Sequence, residues 1–158
     1  MYKKILSVFM LVIASLPATA AEFSFIDTQG ETQSLSRYRG QWVLLNLWAT
    51  WCSPCLAEMP ELEALHQSHK NLVVLGLAVD GQSTARVKQF AEKLHITYPV
   101  IAGTAESAAQ FKTRGYPTSF LFDALGKQVF FKEGVVTRTE IDQIVRGMAI
   151  DQQRQGND

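Results

Sequence analysis

Residues 42–55 read WVLLNLWATWCSPC and decide the fold. Trp42 to Trp48 is a nearly continuous apolar run of large residues, which is typical of a buried central strand. Cys52 and Cys55 are the only two cysteines among the 158 residues, and they follow this run where a helix is expected to begin. The stretch therefore predicts a strand–loop–helix unit with both thiols at the start of the helix.

The rest of the chain alternates between strand and helix patterns. Leu72 to Val79 predicts a second buried strand, with amphipathic helices before and after it. Hairpins are expected ahead of the central strand, over residues 23–35, and late in the chain, over residues 118–131. Thr137 and Glu140 have the spacing of a capping box for a last helix. This order predicts an α/β fold with a central mixed sheet flanked by helices.

The N-terminus has the layout of a cleavable signal peptide over residues 1–20. A short basic region precedes an apolar run that ends at Pro17 and is shorter than the ~20 residues needed to span a bilayer. An uncleaved membrane anchor is the alternative. We expect a single domain over residues 21–150 and a flexible tail over residues 151–158. Export predicts a periplasmic location.

Charge gives no support for nucleic-acid binding. The chain has 15 basic and 15 acidic side chains, and loss of the expected signal peptide removes lysines but no acidic residue. The remaining chain is then slightly negative, which is opposite to the basic surface that nucleic acids require. We expect a monomer.

The cysteine pair has three interpretations: a stabilising staple, half of a metal site, or a redox centre. A disulfide that closes so short a loop constrains the unfolded chain little, which disfavours the staple. His66 and His69 superficially complete a zinc pattern, but at a rise of ~1.5 Å per residue His66 lies ~16 Å from Cys55. We therefore expect solvated histidines and a reversible disulfide that takes part in thiol–disulfide exchange.

The residues around the pair resemble those of a known family. Asn46 to Cys55 is similar to the active-site segment of thioredoxin-like proteins of the TlpA type, which include the ResA-type and CcmG-type reductases of cytochrome c maturation. Glu58 fits the same pattern, and Gly115 to Thr118 resembles the cis-proline loop of the family. The resemblance covers residues 23–146. It implies a thioredoxin fold with an N-terminal hairpin and a helix–strand insert at residues 82–101.

The resemblance also implies how the site residues act. Cys52 is the expected nucleophile and Cys55 the resolving thiol, in a dithiol–disulfide cycle that needs no other cofactor. A helix N-terminus at this position would favour the thiolate form of Cys52. Four residues are expected to support the chemistry or to meet partner proteins: Trp51, Pro54, Tyr116 and Pro117, whose peptide bond is expected to be cis.

Asn46 departs from the cytosolic thioredoxins, which carry a buried aspartate at the matching position. Another group must then accept the proton of Cys55. Glu58 lies one turn after Cys55 and is our candidate, because partial desolvation would raise its pKa to a useful range. A solvated helix carboxylate or an ordinary ion pair is the alternative for Glu58.

Direction and partners follow from the same resemblance. We expect a reductant of disulfide-bearing periplasmic proteins, such as apocytochrome c, supplied with electrons by a membrane donor of the DsbD type. Two alternatives are a thiol oxidase or isomerase of secreted proteins, and a copper- or partner-binding module that uses the thiols without turnover. A peroxiredoxin is disfavoured, because Thr50 alone does not supply the proline, threonine and lone cysteine of that class.

Overall fold

The structure is a computed structural model that describes residues 22–155. The predicted signal peptide lies outside these residues. Within them, none of the helices combines the length and the apolar character that a membrane crossing needs. The elements follow in this order: β1 (Ser24–Ile26), β2 (Thr32–Ser34), a short 3-10 helix (Ser36–Tyr38), β3 (Trp42–Trp48), α1 (Ser53–Ser68), β4 (Leu72–Ala78), α2 (Thr84–Lys93), β5 (Val100–Ala102), α3 (Ala105–Ala109), β6 (Thr118–Phe122), β7 (Gln128–Glu133) and α4 (Arg138–Gln155).

A five-stranded mixed sheet forms the centre of the fold, in the order β5-β4-β3-β6-β7. Strand β3 is buried along its whole length and pairs in parallel with β4 and antiparallel with β6. Its register places Asn46 between Gly76 and Ser119. The predicted α/β architecture is confirmed, because an apolar run that is buried on both faces can only be a central strand.

Side chains on β3 alternate between two differently covered faces of the sheet. On one face, Asn46 donates a hydrogen bond to Glu58 of α1, and the ring of Trp48 stacks on Phe90 of α2 at 5.6 Å between centroids. Aromatic rings fill the opposite face, below the β1–β2 hairpin and the end of α3: Phe23, Phe111, Phe120 and Phe122.

Helix α1 begins directly after Cys52, which is its N-cap residue, and runs on past Pro60 to Ser68. Pro54 lies in the first turn, where the missing N–H of proline costs no helical hydrogen bond. A proline at position 60 predicts an interruption and a kink of this helix. Helix α1 is nevertheless continuous from Ser53 to Ser68, and its buried neighbours hold it against the sheet.

Helix α4 starts with half of the predicted capping box. The N–H of Glu140 donates to Thr137 Oγ1 at 3.2 Å, but the carboxylate of Glu140 binds Lys132 of β7 instead of returning to the cap. The helix continues to Gln155 and thus extends into the segment for which the sequence predicts a tail. Residues 156–158 lie outside the described part of the chain.

Candidate functional site

Cys52 and Cys55 form a disulfide at the N-terminus of α1. Cys52 retains 4% of its accessible surface and Cys55 none, so of the two cysteines only Cys52 borders the solvent. The backbone N–H of Cys55 donates to Cys52 Sγ at 3.3 Å. Together with the helix dipole, this N–H would stabilise a thiolate on Cys52 after reduction.

A second loop faces the cysteine pair from strand β6. The Tyr116–Pro117 peptide bond is cis, and Thr118 at the start of β6 pairs with Leu47 near the end of β3. The antiparallel register brings the proline loop next to the loop that carries the cysteines. The pairing of β3 with β6 is thus the physical reason that the two loops lie together.

Trp51 and Tyr116 form an aromatic pair between these two loops. Their rings meet edge to face with centroids 6.4 Å apart, and Trp51 is 68% exposed. An exposed tryptophan of this kind makes little contribution to the core and presents a large apolar surface next to the disulfide. The pair is therefore available for contact with a partner protein.

Glu58 is buried beneath the disulfide on the same helix. Only 1% of its surface is exposed, so the solvated-carboxylate alternative is wrong. Asn46 Nδ2 donates to Glu58 Oε1 at 2.8 Å, and the backbone N–H of Val136 donates to Glu58 Oε2 at 2.8 Å. Each carboxylate oxygen thus has one donor, from β3 and from the loop before α4.

Burial raises the pKa of the Glu58 carboxyl above its ordinary value. The hydrogen bonds from Val136 and Asn46 and the positive charge of Lys132 act in the opposite direction, but burial is the larger effect. A carboxyl group with a raised pKa, one turn after the buried Cys55, holds a proton more readily than an ordinary glutamate.

Asn46 connects Glu58 to the central sheet. Its Nδ2 donates to Ser119 Oγ at 3.0 Å as well as to Glu58, so both amide hydrogens are used. An aspartate at position 46 has no N–H to give. The departure from the cytosolic thioredoxins therefore matches the presence of a buried carboxylate on α1.

Two supporting residues were missed by sequence reasoning. Asp80, whose sequence position predicts only a surface or turn residue, accepts hydrogen bonds from Thr50 N at 3.1 Å and from Thr50 Oγ1 at 2.6 Å. Asp80 follows β4, the parallel neighbour of β3, and the carboxyl ends of such strands meet at one edge of a sheet. That topology was the signal from which the contact between Asp80 and Thr50 could have been predicted. Val136 contributes its backbone N–H, and nothing in the sequence singles out one backbone N–H from the others.

The histidines at the end of α1 are half-buried and hydrogen-bonded, rather than fully solvated as expected. His66 Nδ1 accepts the N–H of Val74 at 3.3 Å, and His69 Nε2 lies 2.6 Å from Asp142 Oδ1. Both side chains are engaged between α1 and neighbouring elements, because the helix end packs on β4 and α4. Across residues 22–148, His, Cys, Asp and Glu side chains do not gather in threes as a metal ion would require.

This geometry can be compared with known proteins. Residues 17–129 match the AhpC/TSA family. The chain belongs to the AhpC/TSA family. It is 35% identical over 127 residues to the thiol-disulfide oxidoreductase ResA of Geobacillus kaustophilus, covering 79% of this chain and 73% of that protein. The resemblance stated from the active-site segment is thereby confirmed.

Solved structures give the same assignment. A thiol:disulfide interchange protein of the thioredoxin family from Chlorobium tepidum TLS aligns with a TM-score of 0.72 and 28% identity, covering 84% of this chain and 97% of that one. The exposed lipoprotein thioredoxin of Streptococcus pneumoniae TIGR4 aligns with a TM-score of 0.71 and 30% identity, covering 80% of this chain and 99% of that one. The chain is thus a thioredoxin-fold thiol–disulfide oxidoreductase, and its substrates are disulfide-bearing proteins.

Proposed function

We propose that this oxidoreductase is a periplasmic reductant of partner-protein disulfides. The observation that supports this direction is the modest stabilisation available to a Cys52 thiolate. A strong oxidant is one whose reduced form is strongly stabilised. Here Cys52 Sγ accepts one backbone N–H, and the intervening residues Ser53 and Pro54 carry no charge.

The cycle starts with the reduced dithiol. The Cys52 thiolate attacks one sulfur of the partner's disulfide, which forms a mixed disulfide and releases the partner's other sulfur as a thiolate. Cys55 then attacks Cys52 Sγ, which closes the Cys52–Cys55 disulfide and releases the second partner sulfur. Two electrons pass to the partner, and the released thiolates take up protons.

Glu58 is the proposed acceptor of the Cys55 proton. Cys55 and Glu58 are three residues apart on α1 and therefore lie on the same helix face, and both are almost fully buried. Water cannot easily accept the proton there. The raised pKa of Glu58 allows it to hold that proton and later to return it.

Partner binding is proposed for the exposed surface around the disulfide. Trp51 and Tyr116 supply apolar contact area, and the backbone next to Pro117 is placed to pair with an extended segment of the partner. The expected partners are disulfide-bearing periplasmic proteins such as apocytochrome c. A monomer suffices, because all of these residues come from one chain.

Electrons must be returned to Cys52 and Cys55 after each cycle. A reductant in an oxidising compartment needs a supply from the cytoplasm, for which a membrane donor of the DsbD type is the proposed source. The exposed lipoprotein thioredoxin of Streptococcus pneumoniae supports a location outside the cytoplasm, as does the signal-peptide pattern of residues 1–20.

The reduction potential tests the proposed direction. We expect equilibration with a defined thiol buffer to give a value closer to thioredoxin, about −270 mV, than to the strong oxidant DsbA, about −120 mV. A value near that of DsbA would overturn the reductant proposal in favour of the thiol oxidase. Loss of insulin reduction with a thiol donor present would favour the binding module without turnover.

Trapping identifies the partners directly. In Cys55→Ser the mixed disulfide on Cys52 cannot be resolved, so substrates should remain attached when the variant is expressed in its native compartment. Cys52→Ser is the matched control and should capture none through this route. For Glu58, the pH profile of Cys55 reactivity in Glu58→Gln is decisive, because an unchanged profile removes Glu58 from the mechanism.

A further inference from the structure

Lys132 and Glu140 form an ion pair that closes the loop above Glu58. Lys132 Nζ donates to Glu140 Oε1 at 3.0 Å and to Glu140 Oε2 at 2.8 Å. The two residues stand at opposite ends of the connection between β7 and α4. The middle of that connection carries Val136, whose N–H donates to Glu58 Oε2. Contact between the ends of the loop therefore helps to fix the donor in its middle.

Strand register places Lys132 in line with the residues that hold Glu58. Asn46 pairs with Ser119, and Ser119 pairs with Lys132, so these three side chains form one row on the same face of the sheet. Asn46 donates to both Glu58 and Ser119. Lys132 continues the row towards solvent and carries its positive charge.

Glu140 uses its carboxylate differently from a capping glutamate. In a complete capping box the carboxylate would accept the N–H of the cap residue, here Thr137. Glu140 keeps only the backbone half of that arrangement, and both carboxylate oxygens bind Lys132. Its negative charge therefore compensates that of Lys132, which acts on Glu58.

We propose that Lys132 and Glu140 are positioning residues that together set the proton affinity of Glu58. Lys132 supplies a positive charge that favours the ionised carboxylate, and Glu140 limits that effect by holding the ammonium in an ion pair. The role in catalysis rests on the proposed function, in which Glu58 accepts the proton of Cys55. The effect on Glu58 itself does not depend on that role.

Few other groups that face Glu58 can change charge. From β3 it is approached by the neutral side chain of Asn46, which also donates to the neutral hydroxyl of Ser119 on β6. Tyr98, which precedes β5, interacts electrostatically with Glu58, but burial raises the pKa of this phenol and keeps it neutral at physiological pH. On α1 itself, Cys55 is uncharged in the disulfide. Lys132 is thus the cation that acts on Glu58 among the described residues.

The two halves of the pair have opposite electrostatic effects. Lys132→Met removes the positive charge, so the pKa of Glu58 should rise. Glu140→Gln leaves Lys132 without its partner and exposes Glu58 to the full charge, so the pKa of Glu58 should fall. A pair that only tied the loop together would behave differently. Either variant would then loosen the Val136 N–H, and both would shift the pKa upwards.

Carbon-13 NMR titration of the Glu58 carboxyl measures this directly, with Glu58→Gln used to assign the signal. Near the wild-type midpoint we expect the ratio of ionised to protonated Glu58 to fall about threefold in Lys132→Met and to rise about threefold in Glu140→Gln. Lys127→Met removes a lysine at the exposed turn of the same hairpin, and Glu106→Gln neutralises an exposed carboxylate on α3. Neither control should move the midpoint.

Shifts of equal sign in the two variants, or no shift in either, would overturn the proposal. The pH profile of Cys55 attack on a Cys52 mixed disulfide gives the second readout and should move in the same directions. If Glu58→Gln leaves that profile unchanged while the opposite NMR shifts remain, the proton-acceptor role of Glu58 is wrong and the assignment of Lys132 and Glu140 stands. Both variants should fold, because both side chains are about one-third exposed.

Discussion

Asn46→Asp places a second carboxylate directly against Glu58. In the wild type, Asn46 Nδ2 lies 2.8 Å from Glu58 Oε1 and donates to it. The variant replaces this nitrogen with an oxygen of nearly the same size, so steric fit is preserved and only the sign of the interaction changes. It also removes the N–H that Ser119 Oγ accepts, at 3.0 Å.

The cost follows from the short distance. Two unit charges 4 Å apart repel by about 4 kcal/mol at an effective dielectric constant of 20. Total stabilities of about 5–15 kcal/mol make this a large loss. The pair therefore keeps one proton in the folded state, and its folded-state pKa rises above the unfolded values. The variant keeps its stability below the pKa values of the unfolded state, near pH 4. It loses stability as the pH rises through the pKa of the folded state.

Urea denaturation from about pH 4 to about pH 9 measures the effect. We expect the difference in unfolding free energy between Asn46→Asp and the wild type to grow with pH. The double variant Asn46→Asp with Glu58→Gln should recover most of the loss at high pH, because the glutamine amide can donate to the new aspartate. A difference that is constant across the range would refute the direct contact between these two side chains.

Three further substitutions test other parts of the structure. Gly76→Ala should destabilise the protein by about 1–3 kcal/mol in urea denaturation, because the added Cβ would lie 3.0 Å from Tyr98 Cε2 and 3.1 Å from Trp48 Nε1. Gly147→Ala, on the open surface of α4, is the control and should be neutral or slightly stabilising. Trp51→Ala should change the stability by less than about 0.5 kcal/mol but slow the reduction of a protein disulfide in stopped-flow kinetics, because this side chain is 68% exposed. Asp80→Ala should lower the melting temperature through a loss of about 1–3 kcal/mol, since Thr50 N and Oγ1 lose their acceptor. An unchanged melting temperature would contradict the importance of that contact.

The sequence predicts well those features that depend on neighbouring residues. The apolar run of β3 fits only the centre of the sheet in a layered fold. Cys52 followed by Pro54 in the first helical turn marks the start of α1. Glu58 is predictable as a candidate because it lies one turn after Cys55. Its burial is not, since that depends on β3 and α4 packing against the same helix face.

Features that depend on strand register could not be predicted in the same way. Lys132 faces the Glu58 side of the sheet only because β7 pairs with β6 at Ser119, and one residue of slippage would turn it to the other face. The histidines at the end of α1 show the same limit. Without knowledge that β4 passes beside His66, a polar residue near a helix end is expected to be solvated.

The pairing of β3 with β6 has a consequence for the assembly of the site during folding. The cysteines leave β3 at one end of the sheet, while Tyr116 and Pro117 arrive more than fifty positions later in the chain and are held there by the Leu47–Thr118 register. A chain that ends before β6 would still contain two thiols capable of exchange. It would lack the opposing loop, so selection among disulfides is acquired only once the last third of the domain has joined the sheet.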